Sequence, residues 1–262
     1  MAIENSTISD PLVTIVTVCF NSEPTLSDTM NSVLNQTYPN IEYLIIDGGS
    51  KDQTLNIIRS FEDKFRERKI LFDWISEPDS GIYNAMNKGI HRSNGEIIGI
   101  INSDDWYDPN AIASAVNHFT LYPKAMLLHG NLVFHETKKP PRTIKPKSQK
   151  SALIWQGMTL LHPTFFVKSE VYEILKFDER YQLVADYKFL MEAFKAKYPI
   201  TYLDKILSHM RAGGASEAFY QRIVEGHRIR RELGFGLIVT WLSTFYRVGI
   251  TLASRIKRCI RN

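Results

Sequence analysis

The chain has 262 residues, of which 44% are hydrophobic and 23% charged, and its net charge is +4. This composition excludes a disordered or fibrous protein, and the length allows one large domain or two small ones. Cys19 and Cys259 lie far apart, and Cys19 is inside an apolar run, so we expect no disulfide and a reducing compartment. The first ten residues are polar and include two acids, which argues against a secretory signal.

The positive charge is concentrated near the C-terminus. Residues 221–262 contain nine basic and two acidic residues, a net charge of +7, so residues 1–220 carry a net charge of −3. A mildly acidic body does not indicate a nucleic-acid groove, and we therefore expect no nucleic-acid partner.

The first half of the chain alternates strand-like and helix-like segments. Apolar, β-branched runs predict four strands, over residues 12–19, 41–46, 70–75 and 96–101. A helix is predicted after each of them, over residues 24–35, 50–67, 81–91 and 109–121. Pro24 suits the first turn of a helix, and Ser50 followed by Gln53 resembles a capping box. This alternation favours an α/β fold whose mostly parallel sheet is flanked by helices on both faces.

The second half is less regular. Residues 138–150 contain six basic residues, three prolines and no acid, which predicts a loop. That loop is either a solvated insertion or a mobile lid whose cations meet a diphosphate or an anionic lipid. Short strand-like pieces are expected over residues 159–167, and apolar residues at helical spacing predict an amphipathic helix over residues 184–197.

The tail contains an apolar run, residues 233–254, which approaches the length needed to span a membrane. Arg247 interrupts the run near its middle, and Arg255, Lys257 and Arg258 follow it. This pattern favours an amphipathic helix that lies in the membrane interface, with its arginines at anionic headgroups. The alternative is a helix that packs on the main domain or in an oligomer interface.

Polar residues follow each predicted strand, at the edge where open parallel sheets bind ligands. They occupy residues 20–23, 47–49, 76–81 and 102–105. Asp104 and Asp105 would repel each other and any phosphate, and a bound Mg²⁺ or Mn²⁺ would remove both problems. In an extended backbone, Asn102 and Asp104 would face one side and Asp105 the other. The alternative is that the acidic pair only caps the helix that starts at Pro109.

The sequence contains neither a GxxxxGK[ST] phosphate loop nor a GxGxxG fingerprint. A kinase or a dinucleotide oxidoreductase is therefore disfavoured, and a nucleotide site built from acids and a metal ion remains.

Several segments, in colinear order over roughly residues 11 to 216, resemble the inverting glycosyltransferases of family 2. They are VTIVTVCFNSEPTLSDTMNSVLNQTYPNIEYLIIDGGSKDQT, EPDSGIYNAMNKGI, GEIIGIINSDDWYDP, HPTFFVKSEVYEILKFDERYQLVADYKFLMEAF and RAGGAS. The resemblance implies a GT-A fold, a nucleotide-sugar donor and an inverting transfer. It makes residues 1–215 the catalytic domain and leaves residues 216–262 as a basic, apolar helical tail.

The resemblance implies roles for individual donor-site residues. Val18 and Phe20 match positions that line the nucleobase pocket, and Glu23 matches a position near the ribose. Asp47 matches the acid that accepts a hydrogen bond from the base, usually uracil, which a carboxylate can do. The alternative for Asp47 is a turn residue before two glycines.

The D-x-D position of the family is occupied by Asn102, Ser103 and Asp104, so an amide replaces the first carboxylate. The Asn102 oxygen can still accept from a ribose hydroxyl or ligate a metal, but it brings no charge. Asp104 and Asp105 would then hold Mg²⁺ or Mn²⁺ together with the diphosphate. His209 could complete the metal shell, and its alternative is a structural histidine.

Asp186 lies in the first turn of the predicted amphipathic helix and matches the catalytic base of the family. A helix N-terminus favours the ionised carboxylate, which could take the proton of the acceptor hydroxyl. The alternative is that Asp186 is only an acid at the start of a helix.

The resulting hypothesis is an enzyme that moves a sugar, preferably from a UDP-sugar, to a glycan or lipid-linked acceptor in cell-surface polysaccharide biosynthesis. We expect it to be cytoplasmic and peripheral on the inner face of the plasma membrane. One alternative is a sugar-nucleotide pyrophosphorylase-like enzyme, which the absence of a glycine-rich loop after the first strand disfavours. The other is a catalytically inactive GT-A scaffold, for which Asn102 is the only hint.

Overall fold

The computed structural model describes residues 10–147, 150–213 and 219–261. Its first half contains the strands β1 (Val13–Cys19), β2 (Ile41–Asp47), β3 (Leu71–Ser76) and β4 (Ile97–Asn102). They pair in parallel in the order β3-β2-β1-β4. The helices α1 (Leu26–Leu34), α2 (Thr54–Glu67) and α3 (Ile82–Arg92) connect them. The four predicted strands are confirmed, with no end shifted by more than one residue.

Burial explains why these strands could be read from the sequence. Every residue of β1 and β2 is buried, because helices cover both faces of the parallel part of the sheet. Val13 and Ile15 pack into one apolar cluster, and Val16 and Val18 pack into another on the opposite face. The carboxyl ends of β1 and β4 are thereby fixed side by side.

The predicted capping box at Ser50 is wrong. α2 begins at Thr54, and Gln53 at its N-cap makes no side-chain capping bond. The Ser50 hydroxyl instead donates to the Asp47 carboxylate and accepts from the Asn21 backbone N–H at 2.7 Å. Ser50 therefore holds the loop that follows β2 and does not start a helix.

The second half completes the sheet with mixed strand directions. Its elements are β5 (Trp106–Tyr107), α4 (Ala111–Leu121), β6 (Leu127–His135), β7 (Arg142–Ile144), α5 (Lys150–Gln156), a 3₁₀ turn (His162–Thr164), β8 (Phe166–Lys168), α6 (Ser169–Ile174), α7 (Ala185–Lys195) and β9 (Ile200–Arg211). Beyond β4 the order is β8-β6-β9-β5, with β7 added to β6. Among the described strands of this half, only β6 and β9 pair in parallel. The α/β fold is confirmed, and its sheet is parallel in the first four strands and mixed beyond them.

The basic segment 138–150 is largely irregular, as predicted, although β7 pairs with β6 and α5 starts at Lys150. Residues 148 and 149 lie outside the described residues. Lys145 forms an ion pair with Asp204 at 2.9 Å, with both side chains mostly exposed. The segment is therefore anchored to the sheet edge in its middle part, and its role as a lid stays a prediction.

The tail forms two helices, α8 (Phe219–Glu232) and α9 (Leu237–Arg261). α8 contacts α7, and α9 contacts both α5 and α8. Ile229 of α8 is completely buried in the second apolar cluster. One side of the tail therefore packs on the main domain. Among the described residues, none of the helices has the length and apolar character required to cross a bilayer.

Candidate active site

A cleft of about 780 Å³ opens at the carboxyl ends of β1 and β4. Its wall includes six of the residues that the sequence singled out: Val18, Phe20, Asn102, Asp104, Asp105 and Asp186. The first five lie at the carboxyl ends of β1 and β4 or just after them, whereas Asp186 comes from the start of α7 on the acceptor-side half. The fold therefore brings the predicted base and the D-x-D segment into one cavity.

Among the described residues that line this cleft, Glu23 and Asp47 do not appear. The Glu23 carboxylate accepts the Gln53 backbone N–H at 3.3 Å, at the surface of the neighbouring loop. The ribose contact of Glu23 stays a prediction.

Asp47 is completely buried, and its carboxylate holds the loops that follow β2 and β3. It accepts the backbone N–H groups of Gly49 at 3.0 Å and Ser50 at 2.9 Å, and the Ser76 hydroxyl at 2.6 Å. These contacts correspond to the turn role that was the alternative for this residue. The nucleobase contact of Asp47 stays a prediction, and it requires one of these bonds to open.

His209 belongs to an aromatic cluster on β9. Its ring stacks on Trp106 with 5.3 Å between centroids, and its Nδ1 lies 3.1 Å from Nε2 of His135. The next residue, Met210, lines the cleft, whereas His209 does not. Since neighbouring strand residues point to opposite faces, His209 faces away from the cleft. The metal role of His209 stays a prediction, and its packing against Trp106 matches the alternative of a structural histidine.

Residues 102–105 form a turn, so the alternation expected of an extended backbone does not hold. The Asp105 N–H donates to the Asn102 carbonyl at 3.2 Å, and all four residues reach the cleft wall. Asp105 is 1% exposed, and its Oδ1 accepts the Arg211 backbone N–H at 3.2 Å. In the described part of the chain, Asp105 Oδ2 and Asn102 Oδ1 are buried without a hydrogen-bond partner.

The electrostatics of this turn favour a bound cation. Burial raises the pKa of the Asp104 carboxyl, and burial together with Asp104 raises the pKa of Asp105. A buried acceptor without a partner is costly, and the set of amide and carboxylate oxygens suits Mg²⁺ or Mn²⁺. The described segments contain no group of three or more His, Cys, Asp or Glu side chains that could hold a metal ion. Asn102 and the phosphate oxygens of a donor would therefore have to supplement the two carboxylates.

The carboxylate of Asp186 is oriented by hydrogen bonds at the start of α7. Its Oδ1 accepts the Tyr83 hydroxyl at 3.2 Å and the Tyr187 backbone N–H at 2.8 Å. Burial and the charge of Asp186 raise the pKa of Tyr83 well above its usual range, so Tyr83 is a neutral donor. Asp186 can therefore point an oxygen into the cleft in a fixed direction, which general base catalysis needs.

Among the cleft-wall residues that sequence reasoning missed are Tyr83, Gln182 and Arg222. Arg222 lies on α8, which the sequence assigned to a separate tail. Glu225, one turn further along α8, accepts the backbone N–H groups of Gln182 at 3.1 Å and Leu183 at 3.0 Å. α8 thus supports the segment that leads to the base. An acid between arginines in a helix was the available signal for this packing.

An open α/β sheet with an acidic cleft at its strand ends and an opposing carboxylate is the arrangement expected of a GT-A enzyme. The sequence model described as "Glycosyl transferase family 2" matches residues 14–174. The chain therefore belongs to glycosyltransferase family 2. An uncharacterized glycosyltransferase of Haemophilus influenzae is 29% identical over 209 residues, which cover 79% of this chain and 81% of that protein.

Two solved structures show the same fold. Staphylococcus aureus TarS 1–349 in complex with UDP-GlcNAc matches with a TM-score of 0.66 and 17% identity, over 90% of this chain and 71% of that one. The mannosyltransferase PcManGT of Pyrobaculum calidifontis, in complex with GDP-Man and Mn²⁺, matches with a TM-score of 0.64 and 14% identity. That match covers 95% of this chain and 76% of PcManGT.

Proposed function

We propose that this glycosyltransferase is inverting and metal-dependent, with a UDP-sugar as the favoured donor. Its acceptor is a glycan or a lipid-linked glycan in cell-surface polysaccharide biosynthesis. The observation that supports this proposal is that Asp186 and residues 102–105 line one cleft from opposite halves of the fold. Inversion needs a base on the acceptor side and charge stabilisation on the donor side.

The donor half of the cleft is assigned from its strand ends. Phe20 is 61% exposed just after β1, where its ring can lie against a nucleobase next to Val18. The Asn102 amide oxygen would accept from a ribose hydroxyl or supplement the carboxylates of Asp104 and Asp105 at the cation. Asp104 and Asp105 would hold Mg²⁺ or Mn²⁺, which neutralises charge on a departing diphosphate when bound. The Mn²⁺ and the nucleotide sugars in the two neighbouring structures support this assignment.

On the acceptor half, Asp186 takes the proton of the attacking hydroxyl. The Tyr83 hydroxyl donates to Oδ1 of Asp186 and so fixes the orientation of the carboxylate. The other carboxylate oxygen, Oδ2, would then accept the proton of the substrate hydroxyl. Burial lowers the pKa of His162, which also lines the cleft. Among the described residues, Asp186 is the one carboxylate that the acceptor half contributes to the cleft wall.

The activity is tested by thermal-shift and calorimetric titration with UDP-, GDP- and TDP-sugars, with and without Mn²⁺, followed by a donor-hydrolysis assay. We expect one UDP-sugar to bind in a Mn²⁺-dependent manner and to be slowly hydrolysed without acceptor. Binding without any turnover would favour the inactive scaffold. Release of pyrophosphate from a nucleoside triphosphate and a sugar phosphate would favour the pyrophosphorylase.

We further propose that α9 attaches the protein to the anionic inner face of the plasma membrane, from the cytoplasm. The residues on its outer side are apolar and exposed: Leu237, Ile238, Trp241, Leu242, Phe245, Tyr246 and Ile250. Basic residues 255, 257, 258 and 261 follow in the same helix. An apolar face next to basic residues matches an interfacial helix on anionic lipid.

Vesicle binding should depend on this exposed face. We expect the protein to cosediment with anionic vesicles. Phe245→Glu should weaken this binding about tenfold, because it places a charge among the lipid acyl chains. Leu121→Glu is the matched control, since Leu121 is 69% exposed on α4. Deletion of residues 234–262 should release the protein completely. Equal sedimentation of the two point variants and wild type would contradict the membrane proposal.

A further inference from the structure

Three arginines of the tail converge beside the cleft. Arg222, Gly226 and Arg230 lie four residues apart on α8 and so share one face of that helix. Arg247 reaches the same place from α9. A Cβ atom placed on Gly226 would lie 2.7 Å from Nη1 of Arg247 and 3.5 Å from Nη1 of Arg230. The two guanidinium groups therefore meet over the glycine.

The guanidinium of Arg247 occupies a space made by two glycines. A Cβ atom on Gly157, at the end of α5, would lie 2.8 Å from Cζ of Arg247, and Gly226 leaves the opposite side open. Any larger residue at Gly226 would have to displace the Arg247 group. The local sequence thus makes room for a second positive charge next to Arg230.

Arg230 brings unsatisfied hydrogen-bond donors into this cluster. Arg230 is completely buried, and its Nη2 donates to the Thr244 hydroxyl at 3.1 Å. In the described parts of the chain its Nε and Nη1 have no hydrogen-bond partner. Burial and the charge of Arg230 lower the pKa of Arg247 to about 10. Buried cationic groups of this kind are stabilised by a bound anion or a carboxylate.

The cluster adjoins the acceptor half of the active site. Arg222 lines the cleft, as does Met158, the residue after Gly157. Burial raises the pKa of Tyr187 and the charge of Arg230 opposes that rise, so Arg230 lies near the residue that follows Asp186. The planar donor fork of arginine matches the oxygens of a phosphate group.

We propose that Arg222, Arg230 and Arg247 form a phosphate-binding site for the phosphate or diphosphate group of the acceptor. This inference rests on the proposed function and names the anionic part of its acceptor. The shared chemistry is a phosphate group, whether free or attached to a lipid. Because α9 carries both Arg247 and the exposed apolar face, a lipid-linked phosphate could reach the site along that helix.

The test is calorimetric titration of the full chain in saturating UDP and Mn²⁺, which occupy the donor site. The probes are inorganic pyrophosphate, farnesyl diphosphate and farnesol. We expect both diphosphates to bind to wild type and farnesol to bind at least about tenfold more weakly. Arg247→Gln should weaken diphosphate binding about tenfold, because it removes a hydrogen bond from a charged donor to the phosphate. Arg228→Gln, an exposed charge on the same helix, should leave it unchanged.

Gly226→Ala provides a second variant that keeps every charge and should also weaken diphosphate binding, because its methyl group displaces Arg247. If farnesyl diphosphate binds more tightly than pyrophosphate, the site is assigned to a lipid-linked acceptor. If the two bind equally, the site recognises the phosphate group alone. The proposal is overturned if wild type binds neither diphosphate, or if Arg247→Gln and Gly226→Ala bind them as wild type does. UDP binding, measured separately in each variant, reports on the donor site and so distinguishes a failure of the proposed function.

Discussion

Replacement of Asp186 by Asn should reduce sugar transfer at least about 100-fold while donor binding stays within about twofold of wild type. Asparagine has the shape of aspartate and can still accept the Tyr83 hydroxyl bond, which measures 3.2 Å in wild type. It can also accept the Tyr187 N–H at the start of α7. The substitution therefore keeps the position of the side chain and removes only its capacity to accept a proton.

The measurements are single-turnover transfer and UDP-sugar titration on the same preparation. Glu170→Gln is the matched control, because Glu170 is also an acid in the first turn of a helix, α6, and is exposed. We expect that variant to transfer sugar at the wild-type rate. Near-normal transfer by Asp186→Asn would exclude this residue as the base, and loss of UDP-sugar binding would indicate a structural defect.

The parts of the fold that could be predicted are those with a local signal. The run of apolar residues in β1 reports its burial on both faces, and the polar residues after β1 and β4 report the edge at which the cleft lies. The first turn of α7 was likewise visible from apolar spacing, and it carries Asp186. Resemblance then joined these local signals into one site.

The parts that could not be predicted depend on contacts between distant residues. Ser50 has the spacing of a helix cap, but its hydroxyl donates a hydrogen bond to Asp47 instead. His209 precedes a matching segment, but its position on β9 directs it to Trp106. Glu225 and Arg222 lie in what looked like a separate tail, and only the packing of α8 brings them to the cleft. The acid between arginines in α8 hints at packing, but no pattern of neighbouring residues names the distant partner of such a contact.

Asp104→Ala should abolish metal-dependent turnover, with a loss of at least about 100-fold. In wild type, two carboxylates share a turn in which the Asp105 Oδ2 and Asn102 Oδ1 atoms have no partner among the described residues. Without Asp104, one buried carboxylate and an amide remain, which is too little charge to hold a divalent cation beside a diphosphate. We also expect the rise in melting temperature caused by Mn²⁺ plus UDP to disappear, because ligand stabilisation depends on affinity.

Asp63→Ala is the control for this variant, because Asp63 is an exposed acid on α2 that pairs only with Arg66 in the described part of the chain.

Asp105→Asn separates charge from shape at the buried position. Burial and the charge of Asp104 both raise the pKa of Asp105, so an uncharged amide there should raise the melting temperature without metal and reduce the Mn²⁺ response. Metal-dependent turnover that survives in Asp104→Ala would refute the assignment of this turn as the cation site. A loss of the Mn²⁺ response in both variants, with UDP binding retained without metal, would locate the cation at the turn between β4 and β5.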